Sequence, residues 1–135
     1  DALPMVLDYP FTGTGAGSFY SVFPGYKTTD VHLFYDHTHN DFLQMTIEYG
    51  LPSVSILGFI VLFALYKSVR AMRKRRNSIF KGTSFACCMV IIGMLLHMTV
   101  DFPLQAFANA SYFVIFLGLS MIISSLKLRR RRVRA

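Results

Sequence analysis

Residues 51–69 read LPSVSILGFIVLFALYKSV, an apolar run whose one charge, Lys67, lies near its end. Wound as an α-helix, this stretch is roughly 28 Å long, close to the roughly 30 Å hydrocarbon thickness of a bilayer. Behind it comes a basic loop, residues 67–82, and then two more apolar runs, 83–100 and 106–126, parted by the short polar turn 101–105. The pattern predicts three membrane spans, at about 51–69, 83–100 and 106–126. The expected fold class is an all-α polytopic membrane protein, in which an extracytoplasmic loop with a short amphipathic helix precedes three transmembrane helices. Three spans make a small bundle, and a place within a larger helical bundle is expected.

Charge orients the spans. Apart from Lys27, every base falls in one of two blocks: Lys67, Arg70, Arg73, Lys74, Arg75, Arg76 and Lys81, then Lys127, Arg129 to Arg132 and Arg134. None of the seven acids lies in either block. A net charge of +7 would by itself permit a nucleic-acid partner. Basic runs that flank apolar segments of spanning length instead follow the positive-inside rule, so no nucleic acid is expected. Both blocks are then cytoplasmic, the second as a basic tail over 127–135, and residues 1–50 form a periplasmic loop. Cys87 and Cys88 are adjacent within an apolar run, which points to neither a disulfide framework nor a zinc knuckle. The chain opens with neither Met nor a signal peptide, so an upstream part of the same protein is expected as a partner.

Within the loop, Gly13, Gly15 and Gly17 allow sharp turns and could aim backbone N–H groups at an anion. No Gly-Lys-Ser/Thr follows, and position 18 is Ser, so neither a P-loop nor a dinucleotide fingerprint is present. Phe19, Tyr20, Phe23, Tyr26, Phe34 and Tyr35 suit either a membrane–water interface or a surface for stacking sugars; the sequence leaves both open. Thr38-x-x-Asp41 has the form of a capping box, predicting a helix over about 39–49 with Thr38 as its N-cap. Gly50 is a natural stop for that helix, and Pro52 suits the first turn of the next.

The densest chemistry is in Tyr35-Asp36-His37-Thr38-His39-Asn40-Asp41. At a helix start, unpaired N–H groups would favour a neutral imidazole at His39, able to take a proton from a sugar hydroxyl. Asn40 beside it could hold a substrate oxygen. A rival reading makes Asp36, His37, His39 and Asp41 metal ligands. Positions 37 and 39 share a face on a strand but point apart on a helix, so no metal and no cofactor are expected. His97 and Asp101 are four apart at the outer end of a span, either as functional groups or as a hydrogen-bonded helix end.

The same residues resemble the O-antigen ligase and O-antigen polymerase superfamily, in its C-terminal portion. Its ligases carry His, then Asn, Ser or Gln, nine residues, and Gly-x-x-Gly. Here His39-Asn40 is followed, after residues 41–49, by Gly50-Leu51-Pro52-Ser53, with Ser where the last Gly is due. Gly13, Gly15 and Gly17 with Ser18-Phe19, the Pro24 turn, His97 with Val100 to Gln105, and Ala108-Asn109-Ala110 also resemble family stretches. The resemblance implies a multi-pass protein of the bacterial inner membrane. It would move a glycan from an undecaprenyl-diphosphate carrier to a glycan, lipid A-core or protein acceptor, with inversion and without metal. It makes His39 the catalytic base; Asn40, Asp41, Lys27, His97 and Asp101 are the candidates for binding substrate. The family's periplasmic arginines have no counterpart in residues 1–50, which places them upstream. A transporter or channel subunit using His97 and Asp101 as a relay, or an inactive fragment, are the alternatives.

Overall fold

The computed structural model describes residues 2–28 and 35–126, and the basic tail at 127–135 lies outside the described residues. Five α-helices follow in order: α1 (Leu3–Asp8), α2 (Phe19–Val22), α3 (Asp41–Lys74), α4 (Ser78–His97) and α5 (Phe107–Ser125). Short 3-10 turns at Phe23–Gly25 and Pro103–Gln105 join them, and no strand occurs among the described residues. The fold is therefore all-α, and α3, α4 and α5 are each long and apolar enough to cross a membrane.

α3 is one element in name and two in fact. Gly50 interrupts it with φ 75° and ψ 163°, a conformation essentially open to glycine alone. The helix over 41–49 stops there and a second helix starts, with Pro52 in its first turn, where a missing N–H costs no hydrogen bond. The stop at Gly50 and the restart at Pro52 are as the sequence predicts. The start differs. The N-cap is Asn40, whose Oδ1 accepts the Leu43 N–H at 3.0 Å. Thr38 instead donates its hydroxyl to the Asn40 carbonyl at 2.7 Å, which builds the turn that leads into the helix. His39 thus precedes the helix, at φ 51°, rather than opening it.

Two separate cores form among the described residues. In the spanning part, Ala64, Ile91 and Phe113 are buried where α3, α4 and α5 meet, with Val61, Leu65, Met94 and Leu117 packed around them. Small residues bring these helices close: Ala64, Ser68 and Ala71 on α3, Ser84, Cys87 and Cys88 on α4, and Ser120 on α5 are all buried. Ser68 Oγ donates to Ser120 Oγ at 2.8 Å across that contact. Cys87 and Cys88 are free thiols that fill space in this seam. At the other end Arg75 Nη2 donates to the carbonyls of Ile123 and Ser124 at 2.7 and 2.8 Å, capping α5 from the loop after α3.

The second core lies on the loop side of the Gly50 break. Met5, Phe19, Phe23 and Ile47 are buried together, with Val6, Val22, Tyr26 and Leu43 against them. The Tyr26 hydroxyl donates to Asp8 Oδ2 at 2.6 Å, tying the 3-10 turn to α1. That hydrogen bond, with burial and the Asp8 charge behind it, pushes the phenol up to about 12. Residues 2–26 therefore sit on the 41–49 helix as a packed cap.

Candidate functional site

The site is assembled on one face of the 41–49 helix. Asp41, Gln44 and Glu48, spaced three and then four residues apart, share that face, and all three are buried. Each receives N–H groups from a different segment. Asp41 Oδ2 accepts the Leu104 N–H at 2.7 Å, and the Asp41 N–H itself donates to the carbonyls of Met98 and Asp101 at 3.0 and 3.2 Å. Gln44 Oε1 accepts the Thr38 N–H at 3.2 Å, while Gln44 Nε2 lies 3.1 Å from His37 Nδ1 and donates to Glu48 Oε1 at 3.3 Å. Glu48 Oε2 accepts the Gly17 N–H at 2.9 Å, and Oε1 accepts the Phe19 N–H at 3.4 Å.

The glycine loop consequently has its anion within the chain. Its N–H groups also cap the end of the 41–49 helix, where helical carbonyls lack partners. Thr14 N–H donates to the Ile47 carbonyl at 2.8 Å, Gly15 N–H to the Glu48 carbonyl at 3.0 Å, and Leu51 N–H to the Pro10 carbonyl at 2.8 Å. The approach is so close that a Cβ on Gly13 would meet the Glu48 carbonyl, and one on Gly50 the Phe11 carbonyl. These glycines are needed for a backbone-to-backbone fit, and Gly17 N–H faces a carboxylate rather than a phosphate.

At the other end of the helix the histidines gather around the 98–105 turn. α4 ends at His97, and the chain winds on so that the Asp101 N–H still donates to the His97 carbonyl at 3.1 Å. This places the Asp101 carboxylate between two imidazoles: His39 Nδ1 is 3.6 Å from Oδ1 and His97 Nε2 is 3.7 Å from Oδ2. Phe102, the next residue, lies against both loop histidines, stacked on His37 at 4.5 Å between ring centres and edge-on to His39 at 5.1 Å. Asn40 closes the cluster, its Nδ2 donating to the Thr99 carbonyl at 3.1 Å. The His39 side chain remains 61% exposed and that of Asp101 47%, so an incoming molecule can reach both.

Of the sequence candidates, His39, Asn40, His97 and Asp101 come together. Asp41 does not face outward: it is fully buried and both its oxygens are engaged, one by Leu104 and one by Gln105, whose Nε2 lies 3.5 Å away. It anchors the 98–105 turn and has no face left for substrate. Lys27 stands apart, its side chain in no hydrogen bond or ion pair with the cluster among the described residues. The metal arrangement of Asp36, His37, His39 and Asp41 does not converge, because His37 turns to Gln44, His39 to Asp101 and Asp41 to Leu104. Glu48, Gln44 and Phe102 were missed. A signal existed for the first two: Asp41, Gln44 and Glu48 form one polar stripe on a largely apolar helix.

Beside His39 opens a cleft of about 410 Å³, lined by Phe19, Phe23, Tyr35, His37, Thr38 and His39 together with Ala2, Leu3 and Leu43. A membrane-spanning helical bundle carrying an exposed His–Asp pair beside a cleft on its loop cap describes a multi-pass membrane protein with a candidate acid–base site. Residues 1–57 match the family described as O-antigen ligase. A curated protein of Rickettsia conorii named as a polysaccharide ligase is 31% identical over 101 residues, covering 68% of this chain and 23% of that protein. No solved structure matches. Through these residues the chain is similar to the O-antigen ligase family. It spans about a quarter of the length of the curated relative it matches.

Proposed function

We infer that this chain carries the acceptor-activating site of a glycan ligase in surface polysaccharide assembly. The supporting observation is the exposed His39 imidazole whose Nδ1 faces the Asp101 carboxylate, 3.6 Å away, on the rim of a cleft. Asp101 fixes the ring and stabilises the imidazolium, leaving Nε2 to take the proton of an acceptor hydroxyl. The freed oxygen attacks the anomeric carbon of a glycan carried on undecaprenyl diphosphate. The new C–O bond forms as the bond to the diphosphate breaks, the electron pair leaves with the diphosphate, and the anomeric centre inverts. The leaving group is already an anion, so what it needs is a cation clamp more than a general acid. Among the described residues no Lys or Arg lines the cleft, and the chain matches only about a quarter of its curated relative. The clamp is accordingly assigned to the remainder of the protein.

In this reading the protein sits in the bacterial inner membrane, with residues 1–50 and the 98–105 turn on the periplasmic side. The test is transferred glycan per unit of membrane protein in the full-length protein. His39→Ala should lower transfer by about a hundredfold to ten-thousandfold, Asp101→Asn less, and His37→Ala least. Normal transfer by His39→Ala would overturn the assignment.

A further inference from the structure

The aromatics of the loop admit two uses on sequence alone, a membrane interface or a sugar surface. The fold divides them. Three of those among the described residues, Phe19, Phe23 and Tyr35, line the same cleft as His39, and Phe34 lies outside the described residues. Phe19 and Phe23 are stacked at 4.9 Å with 18° between their planes, and Tyr35 stands edge-on to Phe23 at 6.5 Å. Phe19 and Phe23 are held in the loop core, at 2% and 8% exposure, so this wall is rigid before anything binds.

We propose that this cleft seats a neutral sugar ring of the acceptor, with its C–H face on the Phe23 and Tyr35 wall and its hydroxyl edge toward Thr38, His37 and His39. The inference rests on the acceptor role given to His39. Three observations select this ligand. Among the described residues no Lys, Arg, Asp or Glu lines the cleft, which disfavours both a diphosphate and a charged peptide. The lining combines aromatic and aliphatic residues with the hydrogen-bonding side chains of His37, Thr38 and His39, matching a ring with a C–H face and hydroxyls at its edge. An isoprenoid chain would have no use for those polar groups. Finally, a volume of about 410 Å³ lies in the range of about 300–1,000 Å³ typical of small-molecule sites.

The wall also gives an order to the reaction. A ring laid on Phe23 and Tyr35 brings its edge hydroxyls to His39 before the donor is needed, so the acceptor can be held by this chain alone. Tyr35 is the testable member, because it is 38% exposed and outside the buried core.

The experiment is saturation-transfer difference NMR on the purified protein in phospholipid nanodiscs. The probes are methyl glycosides of glucose, galactose, mannose and N-acetylglucosamine, with farnesol as the isoprenoid competitor. At least one glycoside should give a saturable signal, strongest on ring C–H protons. Tyr35→Ala should weaken it by about threefold to tenfold, while Tyr35→Phe should retain it and farnesol should not displace it. Glycan transfer by His39→Ala is read separately in the full-length protein, which separates this inference from the catalytic one. No saturable binding, binding unchanged in Tyr35→Ala, or displacement by farnesol would each overturn the sugar seat. If His39-dependent transfer survives any of those results, the acid–base reading stands without it.

Discussion

His39 is the residue on which most depends, and its backbone marks it as well as its side chain. A left-handed φ of 51° on a residue with a Cβ is uncommon, although His is among the side chains that tolerate it. That turn directs the imidazole to Asp101 instead of letting it continue into the helix. Replacement by Gly removes both the ring and the conformational cost, which is about 1 kcal/mol for an L-residue in this region. His39→Gly should therefore leave thermal stability unchanged or raised by up to about 1 kcal/mol, yet abolish glycan transfer in the full-length protein. A stable, fully active His39→Gly variant would remove His39 from the chemistry. The neighbour Asn40 was read as a substrate ligand, and the structure gives its side chain two other partners, the Leu43 N–H and the Thr99 carbonyl. The Thr38-x-x-Asp41 pattern looked sufficient as a cap because Thr and Asn offer the helix the same acceptor two residues apart. Which one lies at the helix start depends on where Asp41 goes, and Asp41 is drawn to Leu104, sixty-three residues away.

At the scale of elements, the helix over 41–49 works as a spine that fastens three segments by polar contacts along one face. Glu48→Ala would strand the Gly17 and Phe19 N–H groups near a buried surface, at a cost on the order of 2–3 kcal/mol. Glu48→Gln keeps an acceptor oxygen and should cost clearly less. Thermal unfolding of the two variants, with limited proteolysis at residues 13–18, compares them; equal loss in both would mean that charge rather than acceptor geometry holds the loop. Gly50 is the other fixed point. Its Ala variant combines a left-handed backbone with a Cβ driven into the Phe11 carbonyl, so Gly50→Ala should lose more than about 2 kcal/mol. That would show as low membrane abundance, and abundance equal to the parent would mean that the loop does not pack on the break as described. The glycines were visible in the sequence, but the partner of their N–H groups was not. A turn-forming loop can face a ligand or its own protein, and only packing against Glu48 decides between them.

The whole molecule consists of two cores of different solvent logic, one of small and apolar residues among three long helices and one of aromatics under the loop. A cysteine introduced at Ser21, which is exposed on the loop, should react with an impermeant thiol reagent added to the periplasmic side; one at Ser78, after the basic loop, should not. The native Cys87 and Cys88 are buried among the helices and should give little background. Labelling at Ser78 in intact cells would reverse the orientation assigned to the basic loops.

The sequence by itself determined the all-α class and the number of long apolar helices, because hydropathy and helix length are local properties. It also marked the break at Gly50-Leu51-Pro52 and the pair His39-Asn40, since backbone freedom and ionisable groups can be read residue by residue. The tertiary structure decided everything that depends on a partner far along the chain. It buried Asp41 under the 98–105 turn, set Asp101 between His39 and His97, gave the glycine loop to Glu48, and gathered Phe19, Phe23 and Tyr35 into one cleft. The reason is physical: a polar or aromatic side chain has several acceptable partners, and which one it takes is settled by long-range packing rather than by its neighbours in sequence.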